Sequence, residues 1–356
     1  MSILNLIKGG VAIFANRFKM CSIICNSTYS MPLENAQSSF LEQVKKHLPP
    51  NVSFADEIAE ILKISRDSAY RRIRGETVLS LDEAKVLCNQ FGVSLDILLG
   101  NPSEVIPFKH LIVNNTPQTF ERWLRTMLSN LETIDSFPSE KEIVFTAKDI
   151  PVFHYFHYPE LCAFKMFFWM KSVLSYKNLQ SEKFSSKLIS GEYFTLGRKV
   201  WETYNKIPTI EVWADETTNV TLKQLEFYRE SGFFKSPDDA LVILDQYAQL
   251  IQDVRQQAAN GYKNENVSCK LYKNEILIAD NTVMFRMGNK KAVYISHNIT
   301  ELLLTTHEAF CDQTEAFINN LQNRSILIST TGEKERNKFF NSMNEKIEAV
   351  RKRMSA

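Results

Sequence analysis

The sequence carries almost no net charge: 42 Lys and Arg against 41 Asp and Glu leave +1 over 356 residues. No global field therefore draws the chain toward nucleic acid or a membrane, and a surface for a charged partner must come from local segregation of charge. Long apolar runs are missing as well. No stretch approaches the roughly 20 residues that a membrane span requires, and Lys8, Arg17 and Lys19 break up the apolar segments that a secretory signal would keep continuous. The six cysteines (Cys21, Cys25, Cys88, Cys162, Cys269 and Cys311) form no CxxC pair and no Cys/His cluster with zinc-ligand spacing. Scattered thiols of this kind suit a reducing compartment, so a cytoplasmic protein without membrane attachment is expected. There is no Gly-x-Ser-x-Gly, HExxH or paired-carboxylate motif. Neither catalysis nor a cofactor nor a metal is read from the chain.

What remains is the composition of a folded protein, 44% hydrophobic and 23% charged, long enough for two or three domains. Residues 1–35 read as an N-terminal extension, and Met31 resembles an ordinary translation start. Residues 36–102 hold five short helices: one around Ser39–Leu48, then Phe54–Leu62, Arg66–Arg74, one opening at Ser80, and a last one from Ser94 to Gly100. Asn101-Pro102 and Pro107 mark a boundary. Residues 103–260 are predicted to be mostly helical, with a strand at Glu142–Ala147. Helices are read from Pro117, from Pro159, at Phe194–Tyr204, at Leu222–Ser231 and at Pro237–Asn260. Residues 261–356 are read as an α/β region. Cys269–Ile278, Thr282–Met287 and Lys291–Ile295 form an antiparallel meander there, followed by a helix at Glu301–Leu321, a strand at Ser325–Ser329 and a closing helix at Glu333–Arg353. The fold class expected is mainly α with a smaller β component.

The window from Ser53 to Gly75 has the parts of a helix-turn-helix. Ile58-Ala59 supply the apolar and the small residue that let two helices approach. Leu62 and Ile64 flank the turn, Ser65 caps the next helix, and Ala69 and Ile73 form an inward pair. At about 100° per residue, Asp67, Tyr70, Arg71 and Arg74 then point outward, with Arg66 and Arg72 on the flanks. Five basic residues (Lys63, Arg66, Arg71, Arg72 and Arg74) lie in or just before the third helix against Asp67 alone, whereas Asp56, Glu57 and Glu60 sit on the second. That segregation suits one helix that faces phosphates and base edges while its neighbour does not.

The runs Ile58–Arg66, Arg74-Gly75, Leu81–Phe91 and Val93–Leu99 resemble the lambda-repressor/Cro-like (xenobiotic-response-element type) helix-turn-helix. Phe91-Gly92-Val93-Ser94-Leu95-Asp96 is close to that family's junction of fourth and fifth helices. The string from Ser65 to Glu76 is similar to bacterial regulators with a long uncharacterised C-terminal region. Two positions depart from the pattern: Lys63 stands where the family usually has Gly, and Ile73 where a helix-closing Glu is common. The resemblance implies a five-helix DNA-binding domain over about Ser38–Gly100 in a sequence-specific transcriptional regulator, bound as a homodimer to double-stranded DNA. Its third helix would present Ser65, Arg66, Asp67, Ser68, Tyr70, Arg71, Arg72 and Arg74. The larger body is expected to serve oligomerisation, sensing of a small-molecule or protein effector, or both. Two alternatives stand beside this reading: an antitoxin-like protein-interaction module, and an enzyme with an unrecognised C-terminal active site.

Elsewhere, His154 and His157 with Glu160 have a metal-like spacing, but an aromatic run between Pro151 and Pro159 reads as core or sheet edge. The aromatic stripe from Phe164 to Trp169 is likewise read as core rather than pocket.

Overall fold

The computed structural model describes residues 36–45, 48, 52–93, 95, 106–276, 278–298 and 300–355. The N-terminal extension lies outside the described residues, as does all of the expected fifth helix except Leu95. The chain divides into two compact units, a head up to Val105 and a body from Ile106.

Four helices of the head are described: α1 (Ala36–Lys45), α2 (Phe54–Leu62), α3 (Arg66–Ile73) and α4 (Leu81–Phe91). Local chemistry sets their ends. Ser65 accepts from the Ser68 amide at 3.2 Å and so caps α3. Ser80 and Glu83 form a reciprocal capping box at the start of α4, and Gly92 ends it with a left-handed φ of 65°. Phe40, Leu41, Val44, Ile58, Ala69, Ala84 and Leu87 are buried together. The Gln37 side chain ties this core to the chain beyond α3, donating to the Arg72 and Thr77 carbonyls (2.7 and 2.8 Å) and accepting from the Leu79 amide (2.8 Å).

The body is mixed α/β, and its β part is larger than the sequence predicts. Its strands are β1 (Lys109–Leu111), β2 (Lys141–Ala147), β3 (Thr209–Ala214), β4 (Tyr262–Asn264), β5 (Val267–Asn274), β6 (Thr282–Met287), β7 (Lys290–Ser296), β8 (Leu302–Thr305) and β9 (Ile326–Leu327). They form one nine-stranded sheet in the order β1-β8-β7-β6-β2-β3-β5-β4, with β9 on β5. Strands β2, β3 and β5 run parallel, which requires long crossovers, and the chain supplies helices for them. Five serve these crossovers: α6 (Val152–Tyr155), α7 (Pro159–Phe168) and α8 (Gly191–Tyr204) between β2 and β3, and α9 (Asn219–Glu230) and α10 (Pro237–Asn260) between β3 and β5. The others are α5 (Pro117–Asp135), α11 (Glu308–Asn323) and α12 (Glu333–Ser355). Alternation along the strands divides the two faces. Ile143, Phe145, Val283 and Phe285 join the large core under most of the helices, while Val144, Met284 and Val293 pack with Cys311 and Ile318 of α11 on the other side.

Three expectations are corrected. Residues 103–260 and 261–356 are not separate regions, because β2 and β3 pair with β6 and β5 from beyond Gly261. The segment after Cys269 is not part of a meander: β5 lies parallel to β3, and the meander is β6-β7-β8. The helix expected from Glu301 begins at Glu308, since the unbroken apolar run of β8 pairs with β7 and β1.

At the centre of β3 the buried Glu211 carboxylate accepts four hydrogen bonds: two from His154 Nε2 (3.0 and 3.2 Å), one from Tyr204 Oη (2.6 Å) and one from Trp213 Nε1 (2.8 Å). Burial alone would raise its pKa, but His154, Tyr204 and Lys263 together hold it down at about 2. Burial also pushes the Lys263 ammonium down to about 7, against the pull of Glu211. A carboxyl depressed in the folded state contributes stability above its unfolded pKa and loses it as pH falls toward the folded value. The body should therefore lose stability from about pH 4 toward about pH 2. Urea melts across this range should show a shallower acid limb for Glu211→Gln than for the parent, together with lower stability at neutral pH. Parallel limbs would count against this role of the cluster.

Candidate nucleic-acid interface

The turn between α2 and α3 rests on an unusual backbone choice. Lys63 closes α2 with φ 53° and ψ 44°, the left-handed region where a Cβ is disfavoured, and its amide bonds back to the Ala59 and Glu60 carbonyls. Glycine would answer this geometric need freely, and lysine meets it here at a cost of about 1–2 kcal/mol. In return the turn keeps an exposed cation directly before α3.

Ala69 is fully buried and Ile73 half-buried, so α3 rests on these two. Ser65, Arg66, Asp67, Tyr70, Arg71 and Arg74 are exposed, and Ser68 and Arg72 are half-buried. Arg66 pairs with Asp56 of α2 at 2.8 Å and lies 5.8 Å from the centre of the Tyr70 ring. Arg74 pairs with Glu76 at 2.7 Å, both well exposed. Ser65 Oγ and Ser68 Oγ are 2.9 Å apart. Among the described residues no acid pairs with Arg71 or Lys63.

Arg72 is different. Its guanidinium turns toward α4 and grips Glu83 through Nε (3.1 Å) and Nη2 (2.7 Å), while Nη1 donates to the Ser68 carbonyl at 3.2 Å. The two side chains are only 16% and 21% exposed. The contact with Arg72, outweighing the cost of burial, holds the Glu83 carboxyl below its ordinary value. Glu83 also completes the capping box of α4, so Arg72 is engaged in joining α3 to α4 rather than in facing outward.

In the body, the two histidines of the aromatic run are committed to different neighbours. His154 bonds Glu211, and His157 stacks on Trp201 at 4.1 Å. No group of three or more His, Cys, Asp or Glu suited to a metal ion occurs among the described residues. Phe164, Phe167 and Trp169 are all core, as expected, and Trp169 also lines a cavity. No described helix is long and apolar enough to cross a membrane. Compared with known proteins, the chain matches no family model, no curated protein and no solved structure.

Two substitutions separate the structural arginine from the free one. Arg72→Ala leaves Glu83 half-buried and unpaired and should lower the stability of the head by about 1–3 kcal/mol. Arg71→Ala should move it by no more than about 0.5 kcal/mol. Thermal melts read by helix circular dichroism measure both, and equal effects would mean that α3 is rotated from this placement. At the turn, Lys63→Gly should hold or raise the melting temperature, whereas Lys63→Val, a β-branched residue at positive φ, should lower it.

Proposed function

We propose that this chain is a cytoplasmic, sequence-specific DNA-binding transcriptional regulator, not an enzyme, whose third helix enters the major groove of double-stranded DNA. The observation that carries the reading is the outer face of α3. Lys63, Arg66, Arg71 and Arg74 are all exposed around Tyr70, Arg71 has no partner among the described residues, and the acids Asp56, Glu57 and Glu60 belong to α2. In a protein of net charge +1, a local basic face of this kind is suited to a polyanion. Serine at the helix start and an aromatic between arginines add groups able to reach phosphate oxygens and base edges. The head would act in pairs on two half-sites about one helical turn apart, with the body supplying dimer contacts and a sensor.

A protein-interaction module is the second reading, and one observation favours it. Val78 and Leu81, in the link to α4 and at its start, are each 81% exposed, an apolar pair that a partner surface could cover.

The deciding experiment selects duplexes from a random pool and titrates salt against binding. Arg71→Ala should cost about 1–3 kcal/mol and relax sequence preference, as a lost guanine contact does. Arg74→Ala should weaken all sequences alike and lower the salt slope by about one, as a lost phosphate contact does. If both variants bind like the parent, the groove-facing assignment fails and the interaction module is favoured, with Val78→Ser and Leu81→Ser as its own test.

A further inference from the structure

The body contains a cavity of about 850 Å³. Interiors are close-packed, and a hollow of this size forfeits contacts that a folded core would otherwise gain. Its volume lies within the range of sites that enclose drug-sized organic molecules. The deep wall is apolar and flat-sided: Leu131, Phe145, Phe153, Tyr155 and Trp169 all line it and are all buried. Trp169 begins a π-helical turn, Trp169–Val173, that continues α7.

Charge at the wall is unevenly balanced. The carboxylate of Asp149 is already engaged, accepting from the Lys165 ammonium at 3.1 Å and from Tyr155 Oη at 2.8 Å. Lys165, 1% exposed, also donates to Gln224 (2.9 Å) and Thr221 (3.2 Å). That ion pair leaves the deep end neutral. At the exposed rim stand Lys109, Arg122 and Lys148, none paired with an acid among the described residues, against Asp280 alone. Two further wall residues hold polar atoms that have no partner among the described residues: the indole N–H of Trp123 and the hydroxyl of Thr300, a residue only 2% exposed. Buried groups of this kind normally find a partner, and both can donate to an acceptor.

From this geometry we infer that the cavity binds a small amphipathic organic anion, with an aromatic or alkyl body against the apolar wall and a carboxylate or sulfonate toward the cationic rim. The inference concerns the body alone and stands whether or not α3 binds DNA, so its test contains no DNA.

The full chain is titrated with anilinonaphthalene sulfonate and, separately, with the uncharged phenylnaphthylamine, which has the same aromatic body without the anion. Binding is read by dye emission and by energy transfer from tryptophan, since Trp123 and Trp169 are both wall residues. The expected result is a single saturable site with energy transfer and about tenfold tighter binding of the sulfonate at low salt. The double variant Arg122→Gln, Lys148→Gln, both at exposed positions, should lose that preference and keep the parent's melting temperature. Absence of a saturable site, equal binding of the two dyes, or a preference unchanged in the double variant would each overturn the proposal.

Discussion

The body is organised around one desolvated charge. Glu211 sits on β3, the strand between β2 and β5, where it is only 6% exposed. A buried carboxylate is tolerated only when its hydrogen-bonding capacity is filled. Its partners come from α6 (His154), α8 (Tyr204) and β3 itself (Trp213), and the ammonium of Lys263 on β4 contributes from further off. Lys263 is anchored in turn by donating to the Tyr204 and Ile207 carbonyls at 2.9 and 3.1 Å, which fixes the end of α8 relative to β4. Removing a neutral donor such as Tyr204 Oη or Trp213 Nε1 leaves part of the carboxylate unsatisfied at a cost of about 1–3 kcal/mol, so each of the four elements contributes to holding the charge. An all-apolar strand would pack as well but would not discriminate among these neighbours.

In the head a related division of labour occurs on a single helix. One side of α3 is consumed by structure: Ala69 and Ile73 rest on the core, and Arg72 reaches α4. The opposite side carries the remaining basic groups with little packing to hold them. A residue can change on that outer side at small cost in stability, while the inward side cannot.

The legible parts of the fold are those with local causes. Phe54–Leu62 and Pro237–Asn260 end where the sequence predicts because a left-handed residue closes each of them, and the second also opens with a serine cap and a proline. Strand β3 is illegible for the opposite reason. It is buried on both faces, so alternation is lost, and Glu211 interrupts what would be an apolar run. The parallel placement of β5 depends on strand β3, reached only after two intervening helices. On α3, periodicity identifies the outward arginines, but the inward turn of Arg72 depends on Glu83 in the following helix. The cavity has no local signature, since its wall draws on residues as distant as Lys109 and Leu302. Trp169 belongs to an aromatic stripe that reads as core and is core, and nothing in its sequence neighbourhood signals that one side of it faces a cavity.

The pairing of β1 with β8 brings Lys109 opposite Leu304, the first strand of the body against nearly the last. A ribosome therefore delivers β1 long before its sheet neighbour β8 exists, and β2 must likewise wait for β6. The head, built from contacts near in sequence, can complete itself while the body is still emerging. The aromatic helices that follow β2 meanwhile have no finished sheet to cover them. Until β8 has been made, the apolar faces that the finished sheet covers stay open, and it is in that interval that a chain of this strand order is most prone to association.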